Sequence, residues 1–182
     1  MKTRCFSHSI LLIAAMLIIA MAAQAQNATV TKVRQQYADA KQEIAKREQM
    51  KKDGQNPRDV LVVTSDYMAP GAGPIHEVIN YYHSGSYDEL LATVYYKPFF
   101  ITRKYNVGAG EYYQEFLYDQ TEDNNLTFFF QKAPDGETRY YWGANGLAYQ
   151  AVKGEGQIDE VLANRLAYDL REAFNRLMNR EF

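Results

Sequence analysis

Residues 126–152 read LTFFFQKAPDGETRYYWGANGLAYQAV. Three aromatic and β-branched runs are divided by Pro134-Asp135-Gly136 and Asn145-Gly146, which are turn signals. Strands joined by so few residues run antiparallel, because a parallel pair needs a long crossover. The pattern predicts strands over 126–132, 137–142 and 147–152, with a two-residue type I′ hairpin at Asn145-Gly146.

Working outward, the same texture extends upstream. Further strands are predicted over 60–64, 75–82, 90–97, 99–106 and 111–118, with Pro98 breaking or bulging the chain between two of them. Pro70, Gly71, Gly73 and Pro74 mark residues 66–74 as a loop. No dinucleotide-binding βαβ unit fits between strands this close. Gly71-Ala72-Gly73, Gly108-Ala109-Gly110 and Gly154-Glu155-Gly156 read as turns, since none continues into a phosphate-binding fingerprint.

Helices flank this region on both sides. Val30, Val33, Tyr37, Ala40 and Ile44 recur at spacings of three and four, and the stripe then decays into the solvated basic run 46–52. At the other end, Ile158, Val161, Leu162, Leu166, Leu170, Phe174, Leu177 and Met178 trace an apolar face that needs a sheet to cover. The expected fold is α+β: an antiparallel β-meander packed by the C-terminal helix, with the N-terminal helix flanking or projecting. Residues 26–56 form that first helix, and 57–182 the meander with its closing helix, in one domain.

Residues 1–25 read as a cleaved secretory signal. Lys2 and Arg4 precede the apolar run Ile10 to Ala23, and Ala23-Gln24-Ala25 is a small-x-small cleavage site. The run is shorter than the ~20 residues of a membrane span. Cleavage removes Cys5, the only cysteine, so the mature chain is expected to be free of disulfides and of a lipid anchor. Losing Lys2 and Arg4 moves the formal charge from −2 to −4. The reading is an exported protein, periplasmic or extracellular, with no membrane span after cleavage and no electrostatic footprint for nucleic acid.

Twelve of the fifteen tyrosines lie between Tyr81 and Tyr149, and Tyr81-Tyr82, Tyr95-Tyr96, Tyr112-Tyr113 and Tyr140-Tyr141 are adjacent pairs. Neighbours on a strand point to opposite faces, so both faces of the sheet are aromatic. Leu126, Phe128 and Phe130 are expected to share one face. Thr127, Phe129 and Gln131, like Glu137, Arg139 and Tyr141, make a mixed face of rings and charges. Such a face suits recognition, although cross-strand aromatic pairs also stabilise ordinary sheets. Tyr113, Phe129, Arg139 and Tyr141 are the candidate partner-binding residues.

Other chemistry is poorly served. His76 and His83 sit seven residues apart, which sends their rings to opposite faces of a strand, and no further zinc ligands follow at a usual spacing. The oxygen-rich stretch 119–125 lacks the EF-hand pattern and reads as a polar hairpin tip, with calcium an open possibility. Ser84 and Ser86 lack a nucleophile elbow. Glu111, Glu115, Asp119 and Glu137 are the carboxylates a hydrolase would draw on, necessarily from different strands. The expectation is a non-catalytic envelope protein, without metal or cofactor, that binds a protein, peptide or glycan. A small carboxylate-dependent hydrolase of envelope sugars or peptides is the alternative.

Residues 67–74 (YMAPGAGP), 100–106 (FITRKYN) and 118–119, taken with the signal, carry a resemblance. Over most of its mature length the chain resembles small exported proteins of Bacteroidetes-type bacteria that have no assigned function. The resemblance implies a Gram-negative envelope and transfers no functional residues.

Overall fold

A computed structural model describes residues 5–55, 60–89, 92–121, 123–155 and 157–179, with side chains described from residue 26 onward. Its elements in chain order are α1 (Cys5–Lys52), β1 (Val60–Ala69), β2 (Gly73–Asp88), β3 (Thr93–Val107), β4 (Gly110–Tyr118), β5 (Leu126–Ala133), β6 (Gly136–Gly143), β7 (Gly146–Gly154) and α2 (Glu160–Met178). The seven strands lie side by side in chain order, every neighbour antiparallel. The fold is an α+β meander with one helix on each face. Among the described residues no helix is long and apolar enough to cross a membrane.

The α1 stripe packs as its periodicity predicts. Val30, Val33, Ala40 and Ile44 are buried against Tyr82, Phe99, Phe100, Leu117, Phe128 and Tyr141, with Tyr37 beside them. Arg47 departs from the solvated basic run: it is buried, donates to the His83 carbonyl at 2.9 Å and lies 4.9 Å over Phe99. The helix ends at Gly54, whose φ of +76° suits glycine, and Pro57 lies outside the described residues.

The opposite face holds the larger core. Ile79, Tyr81, Ile101, Phe116, Phe129, Tyr140 and Trp142 meet Ile158, Ala163, Ala167, Leu170 and Phe174. Asp159 caps α2, accepting from the Leu162 amide at 2.8 Å. The buried stripe of α2 is narrower than its sequence suggests, since Val161 is 78% exposed and Leu162 and Leu177 also face outward. Ala163 and Ala167 bring the helix close enough for sheet tyrosines to reach the backbone of α2 and of the residues that lead into it. Tyr118 donates to the Ala167 carbonyl at 2.8 Å, and Tyr140 donates to the Ile158 carbonyl at 2.7 Å. Each fully buried Phe on this side contributes about 1.5–3 kcal/mol of transfer free energy.

Strands and turns depart from the sequence reading at several points, and β2 runs on to Asp88 where a strand over 75–82 is expected. The predicted loop over 66–74 shrinks to a tight turn, because Asp66 pairs with His76 and Ala69 with Gly73. The strands predicted over 90–97 and 99–106 join into β3. Pro98 causes a bulge rather than a break: Tyr82 faces Phe100 and His83 faces Pro98, leaving Phe99 as the extra residue. At the last hairpin Gly143 pairs with Gly146, and Gly146 (φ +99°) has a positive φ whereas Asn145 does not, so the turn is not type I′.

Candidate functional site

The register sorts the α1-side face into three cross-strand rows. Nearest the helix run Phe100, Leu117, Phe128, Tyr141 and Tyr149; next come Thr102, Glu115, Phe130, Arg139 and Ala151; outermost are Lys104, Tyr113, Lys132, Glu137 and Lys153. Polarity rises from row to row. The inner row is covered by α1 except at exposed Tyr149, and the outer row is largely bare: Lys104, Lys132 and Lys153 are all exposed.

Between helix and sheet lies a cleft of about 330 Å³, lined by Arg34, Tyr37, Glu115, Phe128, Phe130, Arg139 and Tyr141. Glu115 lies in its wall, only 4% exposed. Tyr37 donates to its Oε2 at 2.7 Å, while Tyr113 and Lys41 donate to Oε1 at 2.8 and 3.1 Å. Three donors converge on its two oxygens, the pairing that a buried carboxylate requires. Burial and then the Glu115 anion hold the Tyr37 and Tyr113 hydroxyls protonated well above the ordinary phenol range. The cluster therefore anchors α1 to β4.

Two guanidinium groups flank the opening. Arg139 lies 4.9 Å over the Phe130 ring and donates to Glu137 at 3.0 Å. Exposed Arg34 stands 5.9 Å from the Tyr141 ring centre, and Tyr141 meets exposed Tyr149 at 5.7 Å. This arrangement offers cations and aromatic surface to a ligand.

Of the four candidate residues, Tyr113, Arg139 and Tyr141 come together here. Phe129 does not. It sits on the opposite face with no exposure, between Phe116 and Tyr140. The turn at Pro134-Asp135 pairs Ala133 with Gly136, which sets Phe129 against Tyr140 and Phe130 against Arg139. Phe130 is therefore the ring that belongs with the candidate face, and the short hairpin is the sequence signal that locates it. A bulge at Thr127 also parts Leu126 from Phe128: Leu126 packs against the α2-side core, Phe128 in the α1-side core.

The remaining candidates are dispersed. His76 meets Asp66 at 2.7 Å on the surface, whereas His83 is buried against Tyr96 and Phe174. Among the described residues no group of three His, Cys, Asp or Glu side chains is placed to hold a metal. Asp119 organises its own hairpin, its Oδ1 accepting from Thr121 N, Thr121 Oγ1 and Asn125 N at 3.3, 2.6 and 3.0 Å. Glu111 pairs with Lys104 at 3.4 Å on the surface. Tyr37, Lys41, Arg34 and Arg47 escaped sequence reasoning as site-forming residues, because their partners are distant in the chain.

No protein-family model matches this chain, and neither a curated protein nor a solved structure does.

Proposed function

We propose that the chain is an exported, non-catalytic envelope protein that binds a partner on the uncovered half of the α1-side face. The observation carrying this reading is the cleft itself, where Arg34, Arg139, Tyr141 and Phe130 surround an opening that α1 leaves uncovered. The signal-like N-terminus supports an envelope location. Among the described residues Glu115 is the carboxylate lining that cleft, and both its oxygens are already occupied. Within this cleft, among the described residues, there is no second free carboxylate of the kind that the hydrolase alternative needs.

The test is affinity capture from an envelope extract by wild-type protein and by Arg139→Ala/Tyr141→Ala, with identification of bound proteins and glycans. Saturable capture by the wild type, reduced in a variant that still unfolds cooperatively, is the expected result. Equal capture by both proteins would contradict the assignment. The N-terminus of the exported form should begin at Gln26, and recovery of Met1 would refute the cleaved signal.

A further inference from the structure

We propose that the outer row of this face is a ladder for an acidic polysaccharide lying across the strands. The inference rests on the binding-module reading and specifies its ligand. Lys104, Lys132 and Lys153 stand on β3, β5 and β7 in one continuous register, with Tyr113 and Glu137 on the strands between them. Neighbouring strands are about 4.8 Å apart, so successive lysines root roughly 10 Å from one another along a line perpendicular to the strands. That separation is on the order of a disaccharide.

The charges on this row are available. Among the described residues no carboxylate lies within ion-pair distance of Lys132 or Lys153, and the nearby Glu137 turns to Arg139 instead. Lys104 meets Glu111 at 3.4 Å with both groups exposed, a contact a ligand can replace at small loss. Arg34 and Arg139 bring the cations of this face to five, beside exposed Glu111 and half-buried Glu137, on a chain whose formal charge is −2. The positive face is a local arrangement and not a consequence of composition.

The chemistry of the ladder selects among polyanions. An extended peptide joins a sheet through backbone hydrogen bonds at an edge, and these residues lie on a face, which presents side chains alone. A linear polymer of acidic sugars matches the regular cation spacing, and the Tyr113 and Phe130 rings offer apolar area to pyranose faces.

The experiment is calorimetric titration of the purified protein with a linear uronic-acid polymer, a neutral polymer of similar length and a single-stranded oligonucleotide, each at low and physiological salt. The variants are Lys132→Glu/Lys153→Glu and, as an equal change of charge elsewhere, Lys51→Glu/Lys52→Glu on exposed residues of α1. The proposal expects the uronic-acid polymer to bind, more weakly at higher salt. Binding should fall about tenfold or more in the ladder variant and stay within about twofold in the control. Equal loss in both variants overturns the ladder, as does equal binding of the neutral polymer or preference for the oligonucleotide. Capture of a protein partner with no polysaccharide binding overturns this inference and leaves the binding module standing. Absence of any saturable partner overturns both.

Discussion

The second row out from the helix differs sharply between the two faces of the sheet. On the α2 side it is Arg103, Gln114, Gln131 and Thr138, a polar row that is nonetheless sealed. Glu77 pairs with Arg103, Arg103 donates to Gln114 at 3.3 Å, and Gln114 donates to Gln131 at 2.7 Å. Gln114 and Thr138 are each 1% exposed. On the α1 side the equivalent row is Thr102, Glu115, Phe130, Arg139 and Ala151, where the Arg139 side chain keeps 42% of its exposure. Buried polar groups must be paired with one another, and the α2-side row satisfies that rule internally. The α1-side row leaves donor capacity pointing outward. The α2-side row closes on itself, and the α1-side row keeps the outward donors that the proposed binding face requires.

The largest effect that would sharpen this contrast comes from emptying the closed face. Phe129→Ala should destabilise the protein by about 3–5 kcal/mol, measured by urea unfolding, because nothing nearby can fill the space. A loss below about 1 kcal/mol would mean that this face is not the tight core described. Next, Glu115→Gln removes the anion that gathers Tyr37, Tyr113 and Lys41, and should cost about 1–3 kcal/mol. Tyr37→Phe should lose less, since Lys41 and Tyr113 remain.

Alkaline pH tests both faces together. Burial raises the Tyr81 hydroxyl to about 12 and moves Tyr118 upward as well, while burial and Glu115 do the same for Tyr37 and Tyr113. A folded value above the unfolded one gives stability that is intact below pH ~10 and is lost as pH rises beyond it. Tyrosinate absorbance should therefore lag at pH ~10–11 and rise together with loss of near-ultraviolet dichroism. Ordinary ionisation of nearly all tyrosines in a still-native protein would contradict the burial described. The smallest expected effect is Lys153→Ala, on the exposed outer row, which should change stability by no more than about 0.5 kcal/mol.

Much of this architecture is legible in the sequence, because its signals are local. The α1 stripe, the hairpin turns and the amphipathic closing helix each repeat within a few residues. The bulges are less legible, since Phe99, Thr127 and Ala148 become extra residues only when their partner strands are in place. One such shift reverses the face of everything beyond it, which is why strict alternation places Leu126 with Phe128 and the bulge parts them. Phe129 was readable in principle from its two-residue hairpin. The site had no such signal: Tyr37 and Glu115 stand 78 residues apart, and Arg47 reaches a backbone carbonyl that any residue could have supplied. The lysine row emerges only when the register of five strands is known.

The most direct test of the open face is the urea midpoint of wild-type protein and Lys132→Ala/Lys153→Ala, each with and without a linear uronic-acid polymer. A ligand that binds only the folded state raises the midpoint. The account predicts equal midpoints without polymer and a rise with polymer in the wild type alone. A lower starting midpoint in the variant, or no rise in the wild type, would contradict it.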